Sequence, residues 1–182
     1  DNYINANDRV LDVGFGAGYG LFKILKKTPN ISGIDVDRKA VTYVQKALAR
    51  NSASNVIVQQ FDGISIPYED KTFDVVCCID VIEHVNEYRS FIKELIRISK
   101  RCVIISTPNK REEFTRPDGS PKNYWHLREW SYKDLDNILK AIPEVKVEWN
   151  FINGPFDGPF NRSTEPTKAT LALTPVLLRE IQ

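Results

Sequence analysis

The sequence predicts a single α/β domain built on parallel strands, and three observations predict it. Short runs rich in β-branched or aromatic residues alternate with segments of helical periodicity from residue 9 to residue 107. The first run opens into a turn with glycine at every second position, Gly14, Gly16 and Gly18. A length of 182 residues, 42% of them hydrophobic and 27% charged, suffices for one well-buried core without demanding two.

Strands are expected over residues 9–13, 31–35, 56–61, 73–79 and 102–107. A helix over residues 18–27 sets Leu21, Ile24 and Leu25 on one face. Asp37 caps a second helix, in which Ala40, Val41, Val44, Ala47 and Leu48 recur at helical spacing. A third, over residues 88–98, repeats Phe91, Ile92, Leu95, Ile96 and Ile98. Such alternation implies parallel strands joined by right-handed crossovers. The near-continuous apolar run from Val75 to Ile79 fits a strand covered on both faces.

Beyond Thr107 the character changes. Residues 108–126 carry three prolines, several charges and little periodicity, which reads as a functional loop rather than a simple connection. Ser131 then caps a helix over residues 132–141, and Val145, Val147, Trp149 and Phe151 alternate as a strand. Residues 154–160 form a turn-rich insert that lines a pocket or crosses the sheet edge, and residues 167–174 offer a last strand.

Composition excludes several classes. A formal net charge of +1 exerts no global pull toward nucleic acid or membrane. Cys77, Cys78 and Cys102 lie in apolar runs without metal-ligand spacing, which predicts buried thiols in a reducing compartment. No apolar run approaches the ~18 residues of a membrane span and no signal-peptide pattern opens the chain, so a soluble cytoplasmic protein is expected. The absence of methionine, even at position 1, suggests that the natural start is missing.

The glycine turn carries the chemistry. Without Cβ atoms, these positions take positive φ and let a ligand approach backbone N–H groups where the next helix presents its positive end. The second strand ends at Asp35, about 20 residues after the turn, the spacing at which a neighbouring strand presents a carboxylate to ribose hydroxyls. The two features together point to a nucleoside. A nicotinamide dinucleotide remains open, although its fingerprint sets the third glycine three residues after the second, whereas Gly16 and Gly18 are two apart.

Five segments in order resemble the class I S-adenosylmethionine-dependent methyltransferases, and among them the methyltransferase type 11 group. Val10-Leu-Asp-Val-Gly-Phe-Gly-Ala-Gly18 is similar to the family's first motif, Gly33-Ile-Asp-Val-Asp37 to its second, and Gln60-Phe-Asp-Gly-Ile-Ser-Ile-Pro67 to its third. Phe73-Asp-Val-Val-Cys-Cys-Ile-Asp-Val-Ile-Glu-His-Val85 resembles the fourth strand and its helix, and Ile105-Ser-Thr-Pro-Asn109 the end of the fifth. Phe15 departs from the small or cysteine residue more usual there. The resemblance implies a three-layer Rossmann-like sandwich with a seven-stranded, mostly parallel sheet in the order 3-2-1-4-5-7-6, strand 7 antiparallel. It also implies roles. Gly14, Gly16 and Gly18 would admit the methionine part of S-adenosylmethionine, Asp12 would reach its amino group, and Ile79 would line the same site. Asp35 would hold the ribose, Val36 would pack on adenine, and Asp62 with Gly63 beside it would meet the adenine amino group. Asp12 and Asp62 also read as carboxylates serving local backbone donors.

The product would be S-adenosylhomocysteine, and a hydroxyl acceptor would need a base or metal to take its proton. The chain's two histidines, His84 and His126, map to the crevice at the carboxyl ends of the strands and are the catalytic candidates. Asp80-Val-Ile-Glu-His84 resembles the acid-x-x-Glu-His segment with which quinone-biosynthetic and small-RNA methyltransferases hold a divalent cation, making Asp80, Glu83 and His84 candidate metal ligands. Residues 100–128 hold seven basic side chains against three acidic ones, and Tyr124, Trp125 and Trp130 offer stacking faces or anchor the loop to the core. An anionic or sugar-like small molecule, methylated on oxygen, is the expected acceptor. RNA or protein methylation, or cofactor binding without catalysis, are the alternatives; no nucleic-acid or membrane partner is expected, and oligomeric state is not encoded in these patterns.

Overall fold

The computed structural model describes residues 3–53, 55–154, 161–167 and 170–179. Strands β1 (Val10–Val13), β2 (Ile31–Asp35), β3 (Ile57–Gln60), β4 (Phe73–Ile79) and β5 (Ser99–Pro108) interleave with helices α1 (Tyr19–Leu25), α2 (Arg38–Arg50) and α3 (Tyr88–Ile98). The chain continues through α4 (Tyr132–Lys140), β6 (Val145–Asn153), β7 (Asn161–Ser163) and β8 (Thr170–Arg179). The sheet runs β3-β2-β1-β4-β5-β8-β6-β7. The first five strands of that order are parallel, β8 lies antiparallel between β5 and β6, and β7 pairs antiparallel with β6 at the edge.

A period of two in the central strands explains the layers. Val10 in β1 and Val75 and Cys77 in β4 point to one face, where they meet Leu21 of α1 and Val41, Val44 and Leu48 of α2. Leu11, Val13, Val76 and Cys78 point to the other, against Phe91, Ile92 and Leu95 of α3 and Leu135 and Leu139 of α4. Each fully buried Leu or Ile contributes about 1.5–3 kcal/mol relative to exposure, so both faces must be covered. All three cysteines are buried free thiols, and burial pushes each thiol above its ordinary pKa.

Local signals set the helix boundaries. The Asp37 carboxylate accepts from the Lys39 N–H at 2.8 Å to start α2, and Ser131 Oγ accepts from the Asp134 N–H at 3.2 Å to start α4. The α3 helix passes directly into β5, with Ser99 Oγ donating to the Ile96 carbonyl at 3.0 Å. The segment before β1 is pinned by Arg101, whose guanidinium donates to both Asp8 oxygens and to the Tyr3 carbonyl; this contact lowers the Asp8 pKa.

The sheet departs from the expected seven strands by one short strand, β7. The expected order holds for the rest, since β8 and β6 occupy the places of strands 7 and 6. The insert expected at 154–160 lies, apart from Gly154, outside the described residues, as do Lys168 and Ala169. The last strand extends to Arg179 rather than stopping at residue 174, straight through Pro175. Proline interrupts a sheet ladder because it lacks an N–H. Here the β5–β8 register passes from Ile104↔Val176 to Thr107↔Leu173, so Pro175 falls in a gap between paired positions.

Phe15 is accommodated by Gly33 in the neighbouring strand. A Cβ on Gly33 would lie 2.7 Å from Phe15 Cδ1 and 2.8 Å from Leu21 Cδ1. The Gly33→Ala substitution therefore overpacks this contact and is expected to cost about 1–3 kcal/mol. Urea denaturation checks it: the midpoint falls while the slope is unchanged.

Candidate cofactor and active site

The candidate residues converge at the carboxyl ends of β1, β2, β4 and β5, the edge where open parallel sheets bind ligands. The Gly14 N–H donates to the Ile34 carbonyl at 2.8 Å, turning the chain away from β1. Gly14 has φ +74°, and a Cβ there would collide with the Val81 side chain. Nothing lies within 4 Å of the corresponding position on Gly16, so this part of the turn faces open space. Gly18, also in a left-handed conformation, caps α1.

Asp35 locks the turn to β2. Its Oδ2 accepts from the Gly16 N–H at 2.7 Å and its Oδ1 from the Asp37 N–H at 2.9 Å, and the residue is buried. Val36 follows at 54% exposure, and a Cβ on Gly63 would approach its Cγ1 to 3.0 Å. A cavity of about 250 Å³ opens beside them, lined by Gly14, Val36, Gly63, Val81 and His84. Asp62 is exposed, and its Oδ1 accepts from the Ile64 and Ser65 N–H groups, both at 2.8 Å; these bonds lower its pKa. It thus serves local backbone donors, one of the two readings of this residue.

On the α1 side of the sheet, Asp12, Gly20, Ile79 and Ser106 line another cavity, of about 320 Å³. Asp12 is buried, and desolvation, with the nearby Asp35 charge, pushes its pKa up to about 7. The expected residues therefore fall in two groups: Gly14, Val36 and Gly63 at one cavity, Asp12 and Ile79 at the other.

The end of β4 is held by β5. Asp80 adopts φ +53°, a left-handed conformation uncommon outside glycine. Its N–H donates to the Ser106 carbonyl at 2.9 Å and its Oδ1 accepts from Ser106 Oγ at 2.8 Å. Glu83 is fully buried in the short 3-10 turn Ile82–His84. Its Oε2 accepts from Thr107 Oγ1 at 3.0 Å, while Oε1 has no hydrogen-bond partner among the described residues. Burial raises its pKa to about 7.

The two histidines meet edge to face, ring centroids 5.0 Å apart. His84 Nδ1 lies 2.7 Å from the Trp125 carbonyl, which can only accept, so Nδ1 carries the proton and Nε2 the lone pair of the neutral ring. His126 Nδ1 lies 2.7 Å from Glu129 Oε1, and its Nε2 is 2.9 Å from Asn123 Nδ2. Asn123 Oδ1 accepts from the Trp125 N–H at 3.0 Å, which fixes the amide so that Nδ2 donates to His126. Both nitrogens of His126 are therefore engaged.

Glu83, His84 and His126 bring potential ligand atoms within 4.8 Å of one another. This differs from the expected set: Asp80 is turned to Ser106, and His126 stands in its place. The parallel register Ile79↔Ser106 brings the ends of β4 and β5 side by side, so Ser106 and Thr107 were within reach of sequence reasoning once the strands were aligned. Glu129 sits three residues after His126, a spacing also open to inspection.

The basic residues expected to favour an anion are engaged within the domain. Lys100 and Arg101 begin β5, at the far end of the sheet, and pair with Asp74 and Asp8. Arg111 pairs with Glu113, and Lys110, Arg116, Lys122 and Arg128 donate to backbone carbonyls of Gly119, Pro121, Glu113 and Val85. Among the described residues no helix is long and apolar enough to cross a membrane.

Comparisons with known proteins agree with this architecture. Residues 11–105 match the family model described as a methyltransferase domain. A probable S-adenosylmethionine-dependent methyltransferase of Mycobacterium tuberculosis is 32% identical over 152 residues, covering 82% of this chain and 52% of that protein. Ajmaline N-methyltransferase of Rauvolfia serpentina is 34% identical over 156 residues, covering 76% of this chain and 52% of that protein. The YcgJ protein of Bacillus subtilis superposes with a TM-score of 0.74 at 18% identity, over 98% of this chain and 94% of that one. The chain spans about half the length of these curated relatives. It belongs to the methyltransferase-domain family, within the class I S-adenosylmethionine-dependent methyltransferases, whose cofactor is S-adenosylmethionine.

The raised pKa values of Asp12 and Glu83 give stability a definite pH dependence. Folded, both carboxyls hold their protons up to about pH 7; unfolded, they release them near pH ~4. Between these limits the native state binds more protons, so stability falls as pH rises and the loss is complete above about 7. Calorimetric melting between pH 5 and 8 should show this fall in the parent protein and a flatter profile in Asp12→Asn and Glu83→Gln.

Proposed function

We propose that this domain transfers the methyl group of S-adenosylmethionine to an oxygen of a small-molecule acceptor, releasing S-adenosylhomocysteine. The observation that supports it most is the buried Asp35 carboxylate, holding an open glycine turn by the Gly16 N–H at 2.7 Å. In this reading the methionine end of the cofactor lies along Gly14, Gly16 and Gly18 toward Asp12 and Ile79. Asp35 keeps lone pairs for the ribose hydroxyls, and Val36, Asp62 and Gly63 flank adenine.

Methyl transfer is an in-line displacement. The acceptor oxygen forms a bond to the methyl carbon as the C–S bond breaks, its electron pair passes to sulfur, and the hydroxyl proton leaves to a base. Positioning supplies most of the rate. His84 is the better base of the two, because its Nε2 lone pair is left by the Nδ1 contact to Trp125. His126, engaged at both nitrogens, is better suited to positioning.

A divalent cation is a second reading, favoured by the orphaned Glu83 Oε1 beside His84 Nε2 at 4.0 Å. Glu83 and His84 fit as ligands, and His126 would join them only by giving up Asn123 or Glu129. A cation held there would acidify and orient an acceptor hydroxyl. The basic side chains of residues 100–128 do not by themselves fix the acceptor class, since they hold carboxylates or neutral carbonyls within the domain.

Two measurements test the reading. Asp35→Ala should weaken S-adenosylmethionine binding by about 1–3 kcal/mol in calorimetric titration, through lost charge-assisted hydrogen bonds. Unchanged affinity removes the ribose role, and binding of NAD in place of S-adenosylmethionine removes the function. With an acceptor found by labelled-methyl screening of metabolite extracts, His84→Ala should lower kcat about 10²-fold, the size of a lost general base, with cofactor affinity intact. Suppression of the parent enzyme by chelator, reversed by Mg²⁺, would select the metal reading; RNA or protein labelled instead, or tight S-adenosylhomocysteine binding without turnover, would select the alternatives.

A further inference from the structure

A separate cavity of about 550 Å³ lies where the loop after β5 crosses the ends of β6 and β8. Pro108, Phe114, Ile152, Leu171 and Ala172 supply its apolar walls, and His126 lines one side. The same His126 packs edge to face on His84, which lines the cavity beside Gly14, Val36 and Gly63. The histidine pair thus stands between the cofactor crevice and this larger space.

Around the larger cavity, Asn123 donates to His126, His126 meets Glu129, Asn109 Nδ2 donates to the Thr170 carbonyl, and Lys122 Nζ donates to the Glu113 carbonyl. The wall formed by Pro108, Phe114, Ile152, Leu171 and Ala172 offers no such groups, so hydroxyls placed against it would lose their water without gaining partners, and each such loss is unfavourable. An apolar occupant meets no such cost. In the same turn as Asn123 and His126, Tyr124 and Trp125 are 83% and 74% exposed with rings 5.5 Å apart, a further apolar surface beside the polar segment. The volume falls within the range that encloses most of a drug-sized molecule.

We propose that this cavity holds the methyl acceptor, and that the acceptor is a compact, largely apolar ring system carrying a hydroxyl group rather than a sugar or a phosphorylated metabolite. The proposal rests on the methyltransferase reading above and specifies its acceptor. The ring system fills the space bounded by Phe114, Ile152 and Ala172, while the hydroxyl is directed to the His126 side, toward His84.

The test is titration of the protein, preloaded with S-adenosylhomocysteine, with 2-naphthol and with glucose 6-phosphate. Binding of 2-naphthol and no binding of the sugar phosphate is expected. Ala172→Trp, which fills the cavity, should weaken 2-naphthol at least about tenfold, the step for each 1.4 kcal/mol of lost contact, and leave S-adenosylhomocysteine affinity within about twofold. If that variant also loses S-adenosylhomocysteine, its fold is damaged and Phe114→Ala decides, with the same selective loss expected. Glucose 6-phosphate binding without 2-naphthol, or 2-naphthol binding indifferent to both substitutions, overturns the proposal. Failure of S-adenosylhomocysteine itself to bind the parent protein removes the methyltransferase reading and this proposal with it, whereas normal cofactor binding without 2-naphthol removes the proposal alone.

Discussion

The site depends on the two hydrogen bonds accepted by Asp35. Its oxygens hold the Gly16 and Asp37 N–H groups at 2.7 and 2.9 Å, tying the turn after β1 to the end of β2. Bonds to a charged acceptor contribute about 1.5–3 kcal/mol each. They set the glycine turn against a parallel neighbour instead of leaving it to fray, and they give the buried carboxylate partners before any ligand arrives. Burial without them would be unfavourable for an ionised group. The same position explains the tension at Asp12, whose pKa rises partly because the Asp35 charge is close. A cationic α-amino group bound beside Asp12, as the proposed reading requires, would relieve that repulsion, so the crevice is electrostatically prepared for a zwitterion.

Much of the frame was legible in the sequence. The near-continuous apolar run of β4 marked a strand covered on both faces, and Asp37 and Ser131 marked helix starts through chemistry that operates within a few residues. Long-range pairing was less accessible. The last strand was expected over residues 167–174, and only the three-dimensional register shows that it runs on through Pro175, whose missing N–H falls in a gap of the β5–β8 ladder. The short β7 carries three polar or charged residues, Asn161 to Ser163, and no apolar alternation by which it could be recognised.

The candidate site divides along the same line. Gly14, Gly16 and Asp35 were recognisable because their spacing is local and their chemistry stereotyped. The charge of residues 100–128 was less legible, since a residue count cannot tell a cation facing a ligand from one holding a carbonyl. Arg128, for example, donates to the Val85 and Asn86 carbonyls and lies over the Tyr88 ring at 4.7 Å, anchoring the loop to the start of α3. His126 is similar. Its sequence position suggested a base, and the sequence alone could not show that Asn123 and Glu129 hold the ring from both sides.

The junction of β4 and β5 keeps features that stability alone would not favour. Asp80 holds a left-handed backbone at a cost of order 1–3 kcal/mol, and Glu83 buries an oxygen with no partner. Ser106 and Thr107, adjacent on β5, offset part of both costs: one bonds Asp80 through its side chain and backbone carbonyl, the other bonds Glu83. Replacing the pair Glu83 and Thr107 by apolar residues of similar shape would remove the unsatisfied oxygen and could pack as well. The pair instead stands beside two histidines at the crevice end of the sheet. Burial raises the pKa of Glu83, and a carboxyl poised near 7 can exchange a proton with its surroundings at little cost. The neighbouring strand thus holds this turn, through Ser106 at Asp80 and Thr107 at Glu83.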